Sequence, residues 1–382
     1  MSYAEYYAMT ELSEKQAYLV LNALPNIGPI NLTRLLEAMG DDPRAVLKAD
    51  ARELERVKGV GPTISGSIVR WQEKFDLARE ELRLEQFNAK FVTCRDEDYP
   101  PLLREIYDPP IGLYQKGEYV LDRPALAMVG SRKTTLYGQK VAKTLARELT
   151  QAGFCVVSGL ARGIDTAAHE GALEAGGPTI AVLGTGIDTI YPAENLDLFR
   201  AVEANGAVMA EFPFGRRADR QSFAMRNRIV AGMSSGVIVI ESDAAGGSMI
   251  TARFAGEQGR LLFAVPGRID QSTSAGCHQL IRDGAMLVTC VDDILAEFSY
   301  LDGLRPAPIG EKVVDGEAPR EGPPMSEAES KVFGCFKGGA ELGVDELTEL
   351  TGLAVSEVST ALMMLELQRR LAKRLDGRFE VC

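Results

Sequence analysis

Apolar and polar positions change rhythm along the chain. Residues 1–90 read as helical, and within them Leu24-Pro25-Asn26-Ile27-Gly28-Pro29 and Val57-Lys58-Gly59-Val60-Gly61-Pro62 look like two copies of one unit. Each follows a helical pattern, turns at Gly and leads into a second helix, expected over 32–39 and 64–75. Gly tolerates the positive φ such a turn often needs, and Pro at a helix start presets its φ. Between 125 and 290 the pattern becomes short apolar runs bounded by Gly, at 125–129, 154–157, 179–183, 207–210, 237–240, 261–265 and 286–289. Amphipathic stretches such as 136–151 and 250–258 lie between several of them. Continuous β-branched strands alternating with helices argue a parallel sheet covered on both faces, and right-handed crossovers then give a doubly wound α/β fold. Residues 91–124, broken by Tyr99-Pro100-Pro101 and Asp108-Pro109-Pro110-Ile111, are expected to add a Pro-interrupted edge.

Residues 301–325 carry Pro, Gly and charge without periodicity and read as a linker. Beyond them, 326–336, 344–351 and 356–370 predict three short helices, and 371–381 a hairpin around Asp376-Gly377. The expected organisation is a helical helix-hairpin-helix/SAM-like domain at 1–90, a Rossmann-like domain at 91–300, the linker, and a winged-helix domain at 326–382. The paired hairpins suit two roles: holding a DNA phosphate on exposed N–H groups, or simple packing. The first copy lacks the paired Gly of the second. The third helix of a winged helix is the usual groove reader, but here it carries Glu357 and Glu366. Positive charge appears only at Arg369, Arg370, Lys373, Arg374 and Arg378, so the module suits a protein partner as well as DNA.

Composition narrows the class. A chain of 382 residues with 46% hydrophobic and 25% charged residues is neither disordered throughout nor fibrous, and its length suggests two or three domains. No apolar run is long enough for a membrane-spanning helix, and the polar, acidic start does not read as a secretory signal. Six scattered cysteines without a CxxC, and only two histidines, speak against a Cys/His zinc site and fit a reducing cytoplasm. The net charge of −12 argues against coating nucleic acid by bulk attraction. A local basic groove stays open, because screening confines each patch to about 8 Å.

In an open parallel sheet, ligands sit at the carboxyl ends of the strands. The first predicted strand is followed by Gly130-Ser131-Arg132-Lys133-Thr134, and the second by Ser158-Gly159-Leu160-Ala161-Arg162-Gly163-Ile164-Asp165 with His169 beyond. The third leads to Gly184-Thr185-Gly186-Ile187-Asp188 and Tyr191-Pro192, the fourth to Glu211-Phe212-Pro213-Phe214-Gly215, and the fifth to Glu241 and Gly246-Gly247-Ser248. Gly where the backbone must come close, hydroxyls and helix N-termini together make a row of anion sites. The row is not built for a dinucleotide, since Gly130-Ser131-Arg132 is no GxGxxG and no acid ends the second strand. There is no GxxxxGK[ST] either, which disfavours a P-loop ATPase. Charge adds the next step: Arg216, Arg217, Arg220, Arg226 and Arg228 stand against one acid, Asp219, with Phe212, Phe214 and Phe223 interleaved. Guanidinium forks for phosphate beside aromatic faces for bases are the composition of a single-strand groove; a solvated loop with core-plugging Phe is the plainer alternative.

These strings resemble the DprA/Smf family. The resemblance rests on Val129-Gly130-Ser131-Arg132, on the 158–165 run with Ala168-His169, and on Val182-Leu183-Gly184-Thr185-Gly186-Ile187-Asp188 with Tyr191-Pro192. It continues through Phe223 with Arg226-Asn227-Arg228-Ile229-Val230-Ala231-Gly232, Gly247-Ser248-Met249-Ile250-Thr251-Ala252-Arg253, Ala264-Val265-Pro266-Gly267 and Leu280-Ile281-Arg282-Asp283-Gly284-Ala285. It implies a DNA-processing protein, not an enzyme, that binds single-stranded DNA and loads RecA onto it in natural transformation and homologous recombination. A single-strand-binding protein is a further candidate partner, and no membrane, metal or cofactor is expected. The positions matching the family's DNA pocket are Gly130, Ser131, Arg132, Arg162, Phe223, Arg226, Asn227 and Arg228; Lys133, Gly159, Gly163, Arg216, Arg217, Gly247 and Ser248 join them as candidates on the same rim. The resemblance also implies a homodimer, with Cys277, His278, Leu280, Ile281 and Leu287 in the interface region. Two departures stand out: Phe223-Ala224-Met225 where the family usually shows Phe-Pro, and a Gly-rich 243–246 loop.

The remaining polar residues read as supports. His169 lacks a recognisable nucleophile beside it and is expected to brace its turn. Asp165 and Asp188 are expected to orient Arg side chains rather than hold Mg²⁺, and Glu211 and Glu241 to pair with Arg. An enzyme is the alternative: the sheet resembles, more distantly, nucleotide-monophosphate phosphoribohydrolases of the lysine-decarboxylase-like group. Their catalytic Glu falls at Arg253, so a phosphate cradle without its acid should bind but hydrolyse poorly.

Overall fold

The computed structural model describes residues 11–301, 325–336, 340–368, 370–374 and 376–381. Most of the 301–325 linker, Arg369 and residues 1–10 lie outside the described residues. The chain divides into two compact units, one holding the N-terminal helices and the α/β sheet, the other residues 133–140 with the C-terminal module.

In the larger unit nine strands form one sheet: β1 Lys90–Thr93, β2 Gly112–Lys116, β3 Ala125–Gly130, β4 Cys155–Ser158, β5 Thr179–Leu183, β6 Ala207–Ala210, β7 Gly236–Ile240, β8 Leu261–Ala264 and β9 Met286–Leu287. Their order is β1-β2-β6-β5-β4-β3-β7-β8-β9. The six pairings from β6 to β9 are parallel, and β1 and β2 close one side antiparallel. The seven runs expected from the sequence are β3 to β9, and the Pro-interrupted segment supplies the antiparallel edge. Strand order reverses between β3 and β7, so a crevice opens at their carboxyl ends.

The reason these runs are apolar throughout is visible in their phase. Alternate residues face opposite sides of a sheet. Ile180 and Val182 enter a core with the helices Arg220–Gly232, Gly247–Glu257 and Ser272–Arg282, whereas Ala181 and Leu183 enter another with helix Leu196–Asn205 and the N-terminal helices. The helical segment and the sheet were expected as separate domains; they share that second core, which runs from Tyr18 and Leu35 to Tyr114 and Phe214. Buried Glu80 crosses the junction, accepting from the Tyr114 hydroxyl at 2.8 Å and the Phe214 N–H at 3.2 Å. Burial pushes its carboxyl above the usual range, against those two donors.

The two N-terminal hairpins lead into helices Pro29–Ala38 and Pro62–Val69. Both have Gly at the N-cap, Pro at the start and no side-chain cap. In the smaller unit, helices Glu327–Gly334, Val344–Thr351 and Val355–Leu367 and the hairpin Leu371–Lys373/Phe379–Val381 enclose Val332, Leu347, Val358, Leu362 and Phe379, as a winged helix should. Among the described residues no single helix is long and apolar enough to cross a membrane.

The residues expected at a dimer interface divide. Cys277 and Leu280 point into the core on the sheet, because their helical phase faces β8. His278 is half-buried and its Nε2 lies 2.9 Å from the Gly267 carbonyl. Ile281 is half-buried, and Leu287 is exposed on the edge strand β9.

Candidate functional site

The rim is organised by close backbone approaches. A Cβ at Gly130 would lie 1.8 Å from the Ile240 carbonyl oxygen, so only Gly lets β3 pass β7 there. The Ser131 N–H then donates to the Glu241 carbonyl at 2.7 Å. After β4 the chain turns through Leu160 at φ +56° and Gly163 at φ +80°. A side chain at Gly163 would meet the Ser131 carbonyl at 2.3 Å. Buried Asp165 fixes this turn from inside by accepting the N–H groups of Gly159 at 3.1 Å and Ala161 at 3.3 Å. Burial raises its pKa, opposed by the charge of Arg226 and, more weakly, of Arg132. Positive φ at the non-Gly residues Leu160 and Glu241 places backbone strain on this rim, where binding sites commonly store it. Gly163→Ala should cost about 2–4 kcal/mol through overpacking and strain. Urea unfolding checks it; an unchanged midpoint would mean the turn can relax.

A second brace joins β5 to the arginine-rich loop. Asp188 accepts the Gly215 N–H at 2.8 Å, and the Gly186 N–H donates to the Arg216 carbonyl at 3.0 Å. Asp188 therefore holds backbone rather than a guanidinium. The loop it shapes exposes Arg216, Arg217 and Arg220. The Arg216 guanidinium lies 5.4 Å from the Phe212 ring centroid and pairs with Asp219 at 2.5 Å. Asp219 also caps the helix Arg220–Gly232 by accepting the Ser222 N–H at 2.7 Å.

Phe223, one turn into that helix, lies over Gly184, where a Cβ would come within 2.7 Å of the ring. The Arg132 guanidinium stands 5.0 Å from the Phe223 centroid. The Tyr191 ring lies 5.4 Å from the same centroid, tilted by 44°. Tyr191 is 41% exposed and Arg132 is exposed, so the stack opens to solvent at the carboxyl ends of the strands. Arg162 is beside it, ion-paired with Glu194 on the segment that follows Tyr191. Asn195 ties that segment to the β4 turn, donating to the Leu160 carbonyl at 2.9 Å and to Thr166 at 3.0 Å. Tyr191 is named in the sequence as part of the rim run and of the family motif, but not as a DNA-contacting candidate; its signal is an aromatic five residues beyond the Gly-Thr-Gly turn of the rim.

Two arginines expected as surface forks are interior. Arg226 is 4% exposed, and its Nη1 donates to the carbonyls of Gly159, at 2.8 Å, and Val182. Burial pushes its pKa down to about 10, against the nearby Asp165. Gly159 is needed because a Cβ would sit 2.4 Å from this guanidinium. Arg228, 3% exposed, pairs with Glu211 at 2.6 Å and Asp108 at 3.1 Å. Residues 226 and 228 are two steps apart on a helix and so face nearly opposite directions, both inward. Phe214 is likewise a core residue, packed on Phe87 and Tyr114. Glu211 pairs with an arginine, Arg228, whose second partner, Asp108, comes from the segment expected as an edge.

The remaining candidates are placed one by one. Asn227 accepts from Arg226 at 3.2 Å and reaches the Gly247 carbonyl at 3.4 Å. Ser248 donates to Ser242 at 2.7 Å, while Gly247 is exposed with open space where a Cβ would be. Lys133 is exposed in the turn after Arg132. His169 is buried beside the Thr179 hydroxyl at 2.8 Å; that hydroxyl donates to the Val156 carbonyl, so the ring supplies the proton between them. Burial pushes its pKa down to about 3, a neutral brace rather than a base at the rim. Arg253, standing where the phosphoribohydrolases carry their acid, is exposed and pairs with Glu257 at 3.4 Å.

The profile of the family described as DNA recombination-mediator protein A matches residues 90–299, and that of the DprA winged helix domain matches 316–377. Doubly wound sheet, glycine-rich rim and winged helix thus define a DNA-processing protein of the recombination-mediator class. Protein Smf of Synechocystis sp. is 32% identical over 398 residues, 96% of this chain and 99% of its own. DNA processing protein DprA of Streptococcus pneumoniae is 46% identical, over 54% of this chain and 73% of its own. The X-ray structure of that Streptococcus protein matches with a TM-score of 0.66 and 35% identity, covering 75% of this chain and 99% of that one. DNA processing protein A from Helicobacter pylori, solved to explain its single-stranded DNA binding mode, matches with a TM-score of 0.50 and 32% identity over 55% and 96%. The chain belongs to the DprA/Smf family.

Proposed function

We propose that this chain binds single-stranded DNA across the carboxyl rim of its sheet and, as a recombination mediator without catalysis of its own, promotes loading of RecA onto that strand during transformation. The observation that carries the binding is the open stack of Arg132, Phe223 and Tyr191. An unpaired base can lie on the exposed ring, while Arg132, Arg162, Arg216, Arg217 and Arg220 offer charge to the phosphates on either side. A base inside a duplex has no free face to give, so the rim selects unpaired strands and reads no sequence. The Helicobacter relative supports the same ligand. Leu287 on the β9 edge, with His278 and Ile281 half-buried on helix Ser272–Arg282, are the residues left accessible for the homodimer; Cys277 and Leu280 act there only from within the core.

Anisotropy titrations with labelled oligothymidine and a matched duplex test the binding. The expected result is a single-strand preference of about tenfold or more, with log K falling against log salt by about 0.7 per phosphate held. Equal affinity for the duplex would overturn it. For loading, RecA filament assembly on oligothymidine coated with a single-strand-binding protein should accelerate when the chain is added.

A further inference from the structure

We propose that the outward face of helix Val355–Leu367, in the position of a winged helix's groove reader, is a docking surface for a cationic amphipathic helix of another protein. Val358, Ala361, Leu362 and Leu365 occupy the side of this helix that packs into the module's core. The opposite side presents Met363, 63% exposed, Leu367, 68% exposed, and Met364 between them. Positions 363 and 367 are one turn apart, so the two side chains stand one above the other. Thioether side chains adapt to varied apolar partners, and a helix laid across another helix needs such i, i+4 anchors.

Charge decides what kind of partner fits. From Glu341 to Gln368 there are six carboxylates and no Lys or Arg. The exposed charges of the helix itself are Glu357 and Glu366. A DNA phosphate brought to this helix would meet those carboxylates, with no Lys or Arg on the helix to release counterions. On the wing, Lys373 stands 5.9 Å from the Phe379 ring centroid, and two arginines are engaged by carboxylates. Arg374 is ion-paired with Glu341, and Arg378 bonds Glu346 at 3.1 Å and the Glu341 carbonyl at 3.2 Å. A second copy of the chain would set acid against acid in an isologous contact. A helix with Lys or Arg flanking an apolar stripe complements both the methionine-leucine patch and its rim.

The test uses the full chain and a fluorescent amphipathic helical peptide of Leu and Lys carrying a benzophenone, with a Leu/Glu peptide as control. The Leu/Lys peptide should bind saturably, crosslink within 355–367, and lose about tenfold in affinity on Met363→Ser/Leu367→Ser. Both positions face solvent, so the double variant keeps the fold, which circular dichroism verifies. The Leu/Glu peptide should not bind there, and duplex DNA carrying a photocrosslinker should not attach within 355–367. Unchanged affinity in the variant, peptide crosslinks elsewhere, or attachment of the duplex within 355–367 would overturn the proposal. So would wild-type self-association, by sedimentation, that the double variant abolishes, since the occupant would then be a second copy.

Discussion

Phe223→Ala should weaken oligothymidine binding by one to two orders of magnitude while leaving its salt dependence nearly unchanged. Stacking of a base on an aromatic ring contributes about 1–3 kcal/mol. Phe223 supplies the central ring of the rim, with Arg132 5.0 Å from its centroid and Tyr191 at 5.4 Å. Removing it therefore takes away a stacking face and the support of two neighbours. Arg132→Ala should behave differently: about tenfold weaker binding together with a salt slope shallower by about 0.7, because a phosphate contact is lost. Tyr191→Ala should resemble Phe223→Ala with a smaller effect. The double aromatic variant should fall short of the summed losses, since the rings touch. Titrations at several salt concentrations separate the two classes. A Phe223→Ala protein that binds like wild type would remove the ring from the site.

Arg228→Met should act on the fold rather than on DNA. Arg228 is the counter-charge for buried Glu211, and Glu211 and Arg228 each already keep one buried polar atom without a partner. Breaking a buried pair by removing one member costs about 3–5 kcal/mol, because the remaining charge is left unsolvated. Burial already raises the Glu211 pKa, and Arg228 is the main influence opposing it. Without Arg228 the carboxyl should rise further. A carboxyl whose folded pKa exceeds its unfolded value is favourable to folding at low pH, and that contribution is lost as pH rises through the folded pKa. The stability gap between wild type and variant should thus be widest near neutrality and narrow as pH falls towards the ordinary Glu range. Denaturant midpoints measured across that range check the trend. The part of the variant that folds should bind oligothymidine as wild type does. A stable Arg228→Met protein with lost binding would place this arginine at the DNA instead.

The two arginines show where sequence reading stops. The arginine-rich 216–228 stretch announces a cationic site by composition, but composition carries no direction. Arg216, Arg217 and Arg220 lie in a loop or at a helix start and remain outside, whereas the helix carries Arg226 and Arg228 inward to carbonyls and carboxylates far away in sequence. Asp108 as a partner, and the seating of Phe223 on Gly184, depend on which strands become neighbours, which no local pattern states. The strands were legible because both faces of the sheet are buried and each run is therefore apolar without a break. The rim turns were legible because close approach and positive φ demand Gly at 130 and 163. The shared core of the helical segment and the sheet was not, since an apolar helix face looks the same whichever surface covers it.

Photocrosslinking reaches the binding surface most directly. Oligothymidine carrying 5-iododeoxyuridine, irradiated with the full chain and mapped by peptide mass spectrometry, should attach to Tyr191 and Phe223. Attachment confined to the N-terminal hairpins or to residues 344–381, with both rings unmodified, would contradict a strand lying on the sheet's carboxyl rim.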